Sequence, residues 1–222
     1  MARLAIDSQQ LVTAYSLQHA LPYRLKESVM RSSNATMKKV TDPPTGLAPN
    51  RIKILSMGSA GSGKSCLIKR YCEERFVTKY IATIGVDYGV KPVKIERVGE
   101  FRINFWDLSG HPEFFEVRNE FYKDTQGCLL VYDATNRESF EQCDAWLIEA
   151  AKYGANPTEI PVALCANKAD KKKEIEVSED EGRRWATSRG INYFETSALS
   201  GMNVPEVFDF LFREVIRKND LQ

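Results

Sequence analysis

Short apolar runs alternate with longer amphipathic stretches from residue 51 to the end of the chain. Continuous apolar segments at 128–132 and 161–165 are typical of buried strands, whereas residues 204–217 repeat apolar positions at helical spacing. Strands that alternate with helices in this way predict an α/β fold, in which helices cover both faces of a mostly parallel sheet.

The same pattern predicts the individual elements. Strands are predicted at residues 52–55, 86–95, 101–106, 128–132, 161–165 and 191–194, and helices at 64–74, 139–152, 178–188 and 204–217. A short polar turn separates the second and third strands, which predicts an antiparallel hairpin. Ligands bind beyond the carboxyl ends of parallel strands, so the loops that follow the strands are expected to carry the chemistry.

The first 50 residues differ from the rest of the chain. They carry six basic and three acidic residues, whereas the remainder carries 25 basic and 27 acidic residues. We therefore expect an N-terminal extension at 1–50, a compact domain at 51–218 and a short tail at 219–222. The extension is interpreted as a flexible arm, as an organelle transit peptide, or as a segment ahead of a true start at Met37.

The composition excludes several classes of protein. The 222 residues carry a net charge of only +1, so no overall positive field points to nucleic acid. No apolar run approaches the roughly 18 residues of a membrane helix. The five cysteines form no C-x-x-C pair, which favours free thiols in a reducing compartment. We expect a cytoplasmic monomer, with nuclear or peripheral association as the open alternatives.

The loop after the first predicted strand has the pattern of a phosphate-binding loop. It reads Gly58-Ser59-Ala60-Gly61-Ser62-Gly63-Lys64-Ser65, which matches G-x4-G-K-[ST] between a strand and a helix. Gly58 and Gly63 allow backbone N–H groups to converge on phosphate oxygens, and Lys64 supplies a charge to the β- and γ-phosphates. The Ser65 hydroxyl is a predicted ligand of Mg²⁺, and Cys66 completes the predicted nucleotide-binding segment.

A second loop selects the base. Residues 167–170 read Asn-Lys-Ala-Asp at the end of a predicted strand. The Asp170 carboxylate can accept hydrogen bonds from guanine N1–H and the exocyclic amine, whereas adenine lacks this pair of donors. The Lys168 stem is predicted to lie on the purine face, and Asn167 to tie this loop to the phosphate-binding loop. An ATP-using P-loop enzyme is the disfavoured alternative.

Three further segments complete the predicted site. The Ala198 N–H, between Ser197 and Leu199 in a third loop, is expected to contact guanine O6. Asp107 and Gly110 follow a strand, where the carboxylate fits a water-mediated Mg²⁺ contact and the Gly110 N–H fits a γ-phosphate sensor. Thr83 can give its hydroxyl to Mg²⁺ only when the γ-phosphate is present, which makes its loop a predicted switch.

These segments, in this order, resemble the Ras superfamily of small GTPases, and most closely its Rab branch, over residues 51–218. The resemblance implies a P-loop NTPase G domain with a six-stranded sheet, a switch for signal transduction or trafficking that binds GTP and GDP with Mg²⁺. It places Phe76 against the guanine, and an effector protein on Tyr88, Trp106 and Phe121, although core packing also fits the last two. It further implies an exchange factor and a GTPase activator.

Departures from the Rab pattern resemble the RJL group of Rab-like GTPases, which in some lineages carry a C-terminal J domain. Gly110-His111-Pro112 stands where most Rabs carry Gly-Gln-Glu, and no cysteine follows Cys165. We therefore expect no lipid anchor. No His-Pro-Asp motif occurs, so a J domain is not expected in this sequence.

His111 stands where the wider family uses a glutamine to orient the attacking water. A neutral imidazole can orient or deprotonate water, but the γ-phosphate raises its pKa, and a protonated ring cannot accept that proton. We expect slow GTP hydrolysis, with Lys64, Thr83 and Gly110 as the other catalytic groups. Two alternatives stay open: family-typical hydrolysis, and a GTP-bound scaffold with negligible turnover.

Overall fold

A six-stranded sheet is the centre of the part of the chain that the computed structural model describes, residues 50–221. The strands are β1 (Asn50–Met57), β2 (Val86–Ile95), β3 (Gly99–Leu108), β4 (Gly127–Asp133), β5 (Val162–Asn167) and β6 (Asn192–Glu195). Their order across the sheet is β2-β3-β1-β4-β5-β6. The β2–β3 hairpin is antiparallel and the other neighbouring pairs are parallel, which confirms the predicted fold class.

Six α-helices lie between or after the strands within the described residues. They are α1 (Lys64–Glu73), α2 (Phe115–Arg118), α3 (Arg137–Glu141), α4 (Cys143–Lys152), α5 (Glu179–Thr187) and α6 (Val204–Lys218). Short 3-10 turns at Pro112–Phe114 and Asn119–Phe121 flank α2. No helix in this part of the chain has the length and apolar character needed to cross a membrane.

Two hydrophobic cores lie on opposite faces of the sheet. The first core packs beneath α1 and α6 and contains Leu67 and Phe208. The second core packs beneath α3, α4 and α5 and contains Trp146. Because side chains alternate along a strand, Ile54 of β1 enters the first core and its neighbour Leu55 enters the second. The sheet is therefore covered on both faces, as predicted.

Several element boundaries differ from the sequence prediction. The single helix predicted at 139–152 is divided at Gln142, where a ψ of −8° interrupts the regular helical backbone. Its first part begins earlier than predicted because the Asn136 side chain accepts a hydrogen bond from the Ser139 N–H and caps the helix. Asn50, assigned to the N-terminal extension, pairs with Phe101 at the start of β1.

The ends of the domain and its cysteines complete the description. Leu221 packs against the first core, so the short predicted tail continues the domain as far as the structure describes it. The rest of the predicted extension, residues 1–49, lies outside the described residues. The five cysteines are free thiols, as the sequence indicates. Burial raises the pKa of the Cys128 thiol to about 12, so this residue acts as a small core side chain.

A pair of glycine variants tests the packing of the first core. A Cβ at Gly127 of β4 would lie 2.8 Å from Val215 Cγ2 and 3.1 Å from Ile54 Cδ1, whereas a Cβ at Gly89 of β2 meets nothing within 4 Å. Gly127→Ala is expected to lower the free energy of unfolding by about 1–3 kcal/mol through overpacking. Gly89→Ala is expected to change it by less than about 1 kcal/mol. Chemical denaturation measures both, and equal losses would contradict this packing.

Candidate nucleotide-binding site

Loops from β1, β3, β5 and β6 meet at the carboxyl edge of the sheet and enclose an open cleft of about 240 Å³. Most of the predicted site residues line it: Ala60, Gly61, Gly63, Lys64, Ser65, Cys66, Phe76, Thr83, Gly110, His111, Asn167, Lys168, Asp170, Ala198 and Leu199. Five other predicted residues are not part of the lining: Gly58, Ser59, Ser62, Asp107 and Ser197. The parallel strand order therefore brings together segments that are far apart in the sequence.

The loop between β1 and α1 leaves the first turn of α1 open to an anion. Gly63 is the N-cap of α1, with φ 94°, and no side chain caps the helix there. A Cβ at Gly63 would lie 2.2 Å from Asn167 Nδ2, and one at Gly58 would lie 2.0 Å from the Val131 carbonyl oxygen. Both positions therefore require glycine, and the free amides of the helix N-terminus suit a phosphate.

Lys64 places a buried charge beneath this loop. Its Nζ donates to the carbonyl oxygens of Gly58 at 2.8 Å and Ser59 at 3.0 Å, and the residue is only 5% exposed. Burial lowers the pKa of Lys64 to about 8, and the carboxylate of Asp107 partly opposes this. An anionic ligand in the cleft would stabilise the ammonium form, so the geometry fits a phosphate group.

The Ser65 hydroxyl lies within hydrogen-bonding distance of both other predicted metal-binding residues, Thr83 and Asp107. The Ser65 hydroxyl donates to Asp107 Oδ2 and lies 2.9 Å from Thr83 Oγ1. Ser56, at the end of β1, donates to Asp107 Oδ1 at 2.5 Å and fixes the orientation of the carboxylate. Two hydroxyls and a carboxylate form an oxygen-rich set of the kind that Mg²⁺ prefers. Ser56 was not among the predicted residues, although it is a polar residue within an apolar strand.

Asn167 joins the base-binding and phosphate-binding loops. Its Nδ2 donates to the Ser62 carbonyl oxygen at 2.8 Å. This is the predicted link between the two loops. The Ala198 N–H, expected to contact guanine O6, donates to Asn167 Oδ1 at 3.2 Å in this structure. The backbone that would face the base is therefore held by the same amide side chain.

The two charged residues of this loop are also held in place. The Ser197 hydroxyl donates to Asp170 Oδ1 at 2.6 Å, so Ser197 supports the carboxylate. Lys168 Nζ donates to Asp133 Oδ2 at 2.5 Å. Asp133 was not among the predicted residues. The one feature of the sequence that could have indicated it is its position at the end of the apolar strand β4.

Gly110 and His111 lie at the phosphate end of the cleft. A Cβ at Gly110 would lie 2.2 Å from the Ala60 backbone nitrogen, so this segment packs directly on the phosphate-binding loop. His111 is half-buried and extended, with φ −78° and ψ 136°, and Pro112 opens the following 3-10 turn. The proline restricts the residue before it to this extended region, as expected from the sequence.

The three predicted effector-contact residues form one aromatic surface outside the cleft. The ring of Trp106 lies 4.6 Å from that of Tyr88 and 5.1 Å from that of Phe121. All three side chains are half-buried, and Lys53 Nζ lies 5.4 Å from the Trp106 ring. Trp106 and Phe121 also pack against the second core, so both the surface and the core interpretations describe them in part.

A buried charged cluster near His111 was not predicted. The guanidinium of Arg118 in α2 forms two hydrogen bonds with the Glu149 carboxylate in α4, at 2.7 and 2.8 Å, and donates to the His111 carbonyl oxygen at 2.9 Å. The Tyr122 hydroxyl donates to the same carboxylate at 2.8 Å. Burial and Glu149 hold the pKa of Tyr122 well above its usual range, so the phenol remains a donor. No motif in the sequence marks this cluster.

Known proteins match most of the described domain. The family model described as Ras family matches residues 53–217. The protein named DnaJ homolog subfamily C member 27 from Gallus gallus is 54% identical over 169 residues, which cover 75% of this chain and 62% of the relative. Its counterpart of the same name from Danio rerio is 54% identical over 168 residues, covering 74% of this chain and 61% of the relative. The Homo sapiens counterpart is 50% identical over 185 residues, covering 82% and 66%.

These relatives bear on the predicted resemblance. The chain spans a little under two thirds of the length of the curated relatives that it matches. Their name refers to DnaJ, which agrees with the predicted resemblance to Rab-like GTPases of the RJL group. That prediction is confirmed. From the family match over most of its length and the phosphate-binding loop on a six-stranded sheet, the chain belongs to the Ras family of small GTPases.

Proposed function

We propose that this protein is a molecular switch that binds GTP and GDP with Mg²⁺ and hydrolyses GTP slowly. The observation that carries the proposal is that one cleft holds a buried ammonium at one end and a supported carboxylate at the other. Lys64 suits the phosphates, and Asp170 suits the two donors of guanine. A guanine nucleotide satisfies both charges at once, whereas an adenine nucleotide would leave the carboxylate unpaired.

The residues at the phosphate end have different proposed roles in hydrolysis. The amides of the first turn of α1 and the Lys64 ammonium bind the phosphates. Ser65, Thr83 and Asp107 are the residues that would hold Mg²⁺, which supplies positive charge to the phosphate oxygens. Gly110 packs directly on the phosphate-binding loop, and its N–H is the proposed γ-phosphate contact.

His111 is the group proposed to orient the attacking water. The water oxygen bonds to the γ-phosphorus while the bond to the bridging oxygen breaks, which yields GDP and inorganic phosphate. A neutral imidazole nitrogen can accept a hydrogen bond from that water, whereas a protonated ring has no free acceptor. Because only one form of the ring can act, we expect slower turnover than with the glutamine of the wider family.

A second candidate function is a GTP-bound scaffold with negligible turnover. The aromatic surface of Tyr88, Trp106 and Phe121 supports it, because this contiguous, half-buried surface suits a protein partner. For both candidates we propose a cytoplasmic monomer that works in signal transduction or trafficking. An exchange factor and a GTPase activator are the proposed regulators.

Base selection is tested by exchanging the Asp170 carboxylate for an amide. Asp170→Asn reverses the hydrogen-bond preference at that position, so affinity is expected to shift from GDP towards XDP by at least about 100-fold. Ser197→Ala is the matched control: it removes the support at Asp170 Oδ1 and should weaken GDP binding without changing base preference. Competition against a fluorescent guanine nucleotide measures both. Unchanged preference in Asp170→Asn, or tight ATP binding by the wild type, would contradict guanine recognition.

The metal site is tested by chelation. Removing Mg²⁺ with EDTA is expected to speed GDP release by about tenfold or more, which corresponds to about 1.4 kcal/mol. Ser65→Ala should reduce that response, whereas Thr83→Ala should weaken binding of only a non-hydrolysable GTP analogue. Thr78 lines the same cleft and has no contact with Asp107, so Thr78→Ala is the control. A rate of GDP release that EDTA does not change would contradict the Mg²⁺ assignment.

The role of His111 is tested by restoring the amide of the wider family. In a single-turnover assay on GTP-loaded protein, His111→Gln is expected to raise the hydrolysis rate by about tenfold, or about 1.4 kcal/mol in activation free energy. GDP affinity should stay unchanged. The nucleotide that copurifies with the wild type separates the candidates: GDP supports a cycling switch and GTP supports the scaffold. No gain in rate from His111→Gln would show that the histidine does not limit hydrolysis.

A further inference from the structure

An ion pair lies almost completely out of solvent beside the phosphate end of the cleft. The side chains of Arg118 and Glu149 are 7% and 14% exposed, and they join α2 to α4. Removing two charges from water carries a desolvation cost that their attraction seldom repays in full. Such a pair is therefore weak evidence for added stability.

The guanidinium donates to three residues at once. Nε and Nη2 of Arg118 bond to the two oxygens of Glu149, while Nη1 donates to the His111 carbonyl oxygen at 2.9 Å and makes a longer contact of 3.5 Å with Ser109. The planar fork fixes these directions relative to each other. Arg118 therefore sets the position of the His111 backbone relative to α4.

Aromatic side chains fix the guanidinium further. The Arg118 guanidinium carbon lies 4.4 Å from the centre of the Trp146 ring and 5.5 Å from that of Phe115. Both contacts lie within the range of cation–π attraction. The Tyr122 hydroxyl occupies one oxygen of Glu149 as well, so the carboxylate is held from a second direction. This cluster is thus rigid at the atoms that contact His111.

The backbone of His111 has few other restraints. Its N–H makes a long contact of 3.3 Å with Ser109 Oγ, and Pro112 has no N–H to donate. Its carbonyl oxygen accepts from Phe114 N at 3.2 Å within the 3-10 turn. The charged hydrogen bond from Arg118 is the shortest of these contacts, and charge-assisted bonds are the stronger class.

We propose that Arg118, held by Glu149, is a positioning residue that keeps the His111 imidazole at the phosphate end of the cleft. This inference rests on the proposed hydrolytic function of that cleft. Arg118 does not line the cleft itself and acts through the His111 carbonyl. Its loss is therefore expected to slow hydrolysis while leaving nucleotide affinity unchanged.

Single-turnover hydrolysis by GTP-loaded Arg118→Lys is the first measurement. Lysine keeps the charge but cannot bond Glu149 through two parallel donors and reach His111 as well, so the rate is expected to fall by about 10- to 100-fold. The dissociation constant for GDP should stay within about twofold. Arg189→Lys is the matched control. Arg189 makes two hydrogen bonds of 2.7 Å with Asp144, which lies on α4 as Glu149 does, so this variant should leave the rate unchanged.

A double-mutant cycle separates positioning from general loosening of the fold. In a His111→Ala background, Arg118→Lys is expected to change the rate by less than about twofold, because the group that it positions is gone. If Arg118→Lys lowers the hydrolysis rate equally in both backgrounds, the proposal is overturned. It is also overturned if His111→Ala alone leaves the rate unchanged.

Glu149→Gln gives a second variant, since it keeps an oxygen acceptor and removes the charge. It is expected to reduce the rate less than Arg118→Lys does. Bound nucleotide adds stability to each variant during the assay. Loss of GDP binding in either variant would assign the pair a structural role and overturn the proposal. Failure of the wild type to bind guanine nucleotide would instead overturn the proposed function.

Discussion

The side-chain amide of Asn167 is the contact on which the rest of the nucleotide cleft depends. Its nitrogen donates to the Ser62 carbonyl oxygen and its oxygen accepts from the Ala198 N–H, so three loops from different strands are joined at one point. Asn167 is 1% exposed, which makes each of these hydrogen bonds costly to break. The close approach to Gly63 adds a steric constraint, because no side chain fits there.

The site around Asn167 contains buried charges that a bound nucleotide would compensate. Lys64 donates to backbone carbonyl oxygens, and its burial lowers its pKa to about 8. Asp107 is likewise buried, with hydroxyl donors at both oxygens. A phosphate and a divalent cation would compensate both residues, so binding and stability of the fold are expected to be linked.

The segment after β3 carries two roles in a short length of chain. His111 faces the cleft, and Phe121 at the end of the second 3-10 turn belongs to the aromatic surface. Arg118 lies between them and is bonded to α4 through Glu149. The backbone that holds the proposed catalytic group is thus continuous with the surface proposed for a protein partner, and one buried ion pair anchors both.

The sequence by itself determined the six strands and the phosphate-binding loop, because alternating apolar runs and the G-x4-G-K-[ST] pattern are local features. Only the tertiary structure decided which polar groups support them. Ser56 reaches Asp107 across 51 residues, Lys168 reaches Asp133 across 35, and Arg118 reaches Glu149 across 31. These contacts depend on strand register and on helix placement, and no spacing within a short window specifies them. The division of the helix at Gln142 was likewise hidden, since the apolar period continues through it.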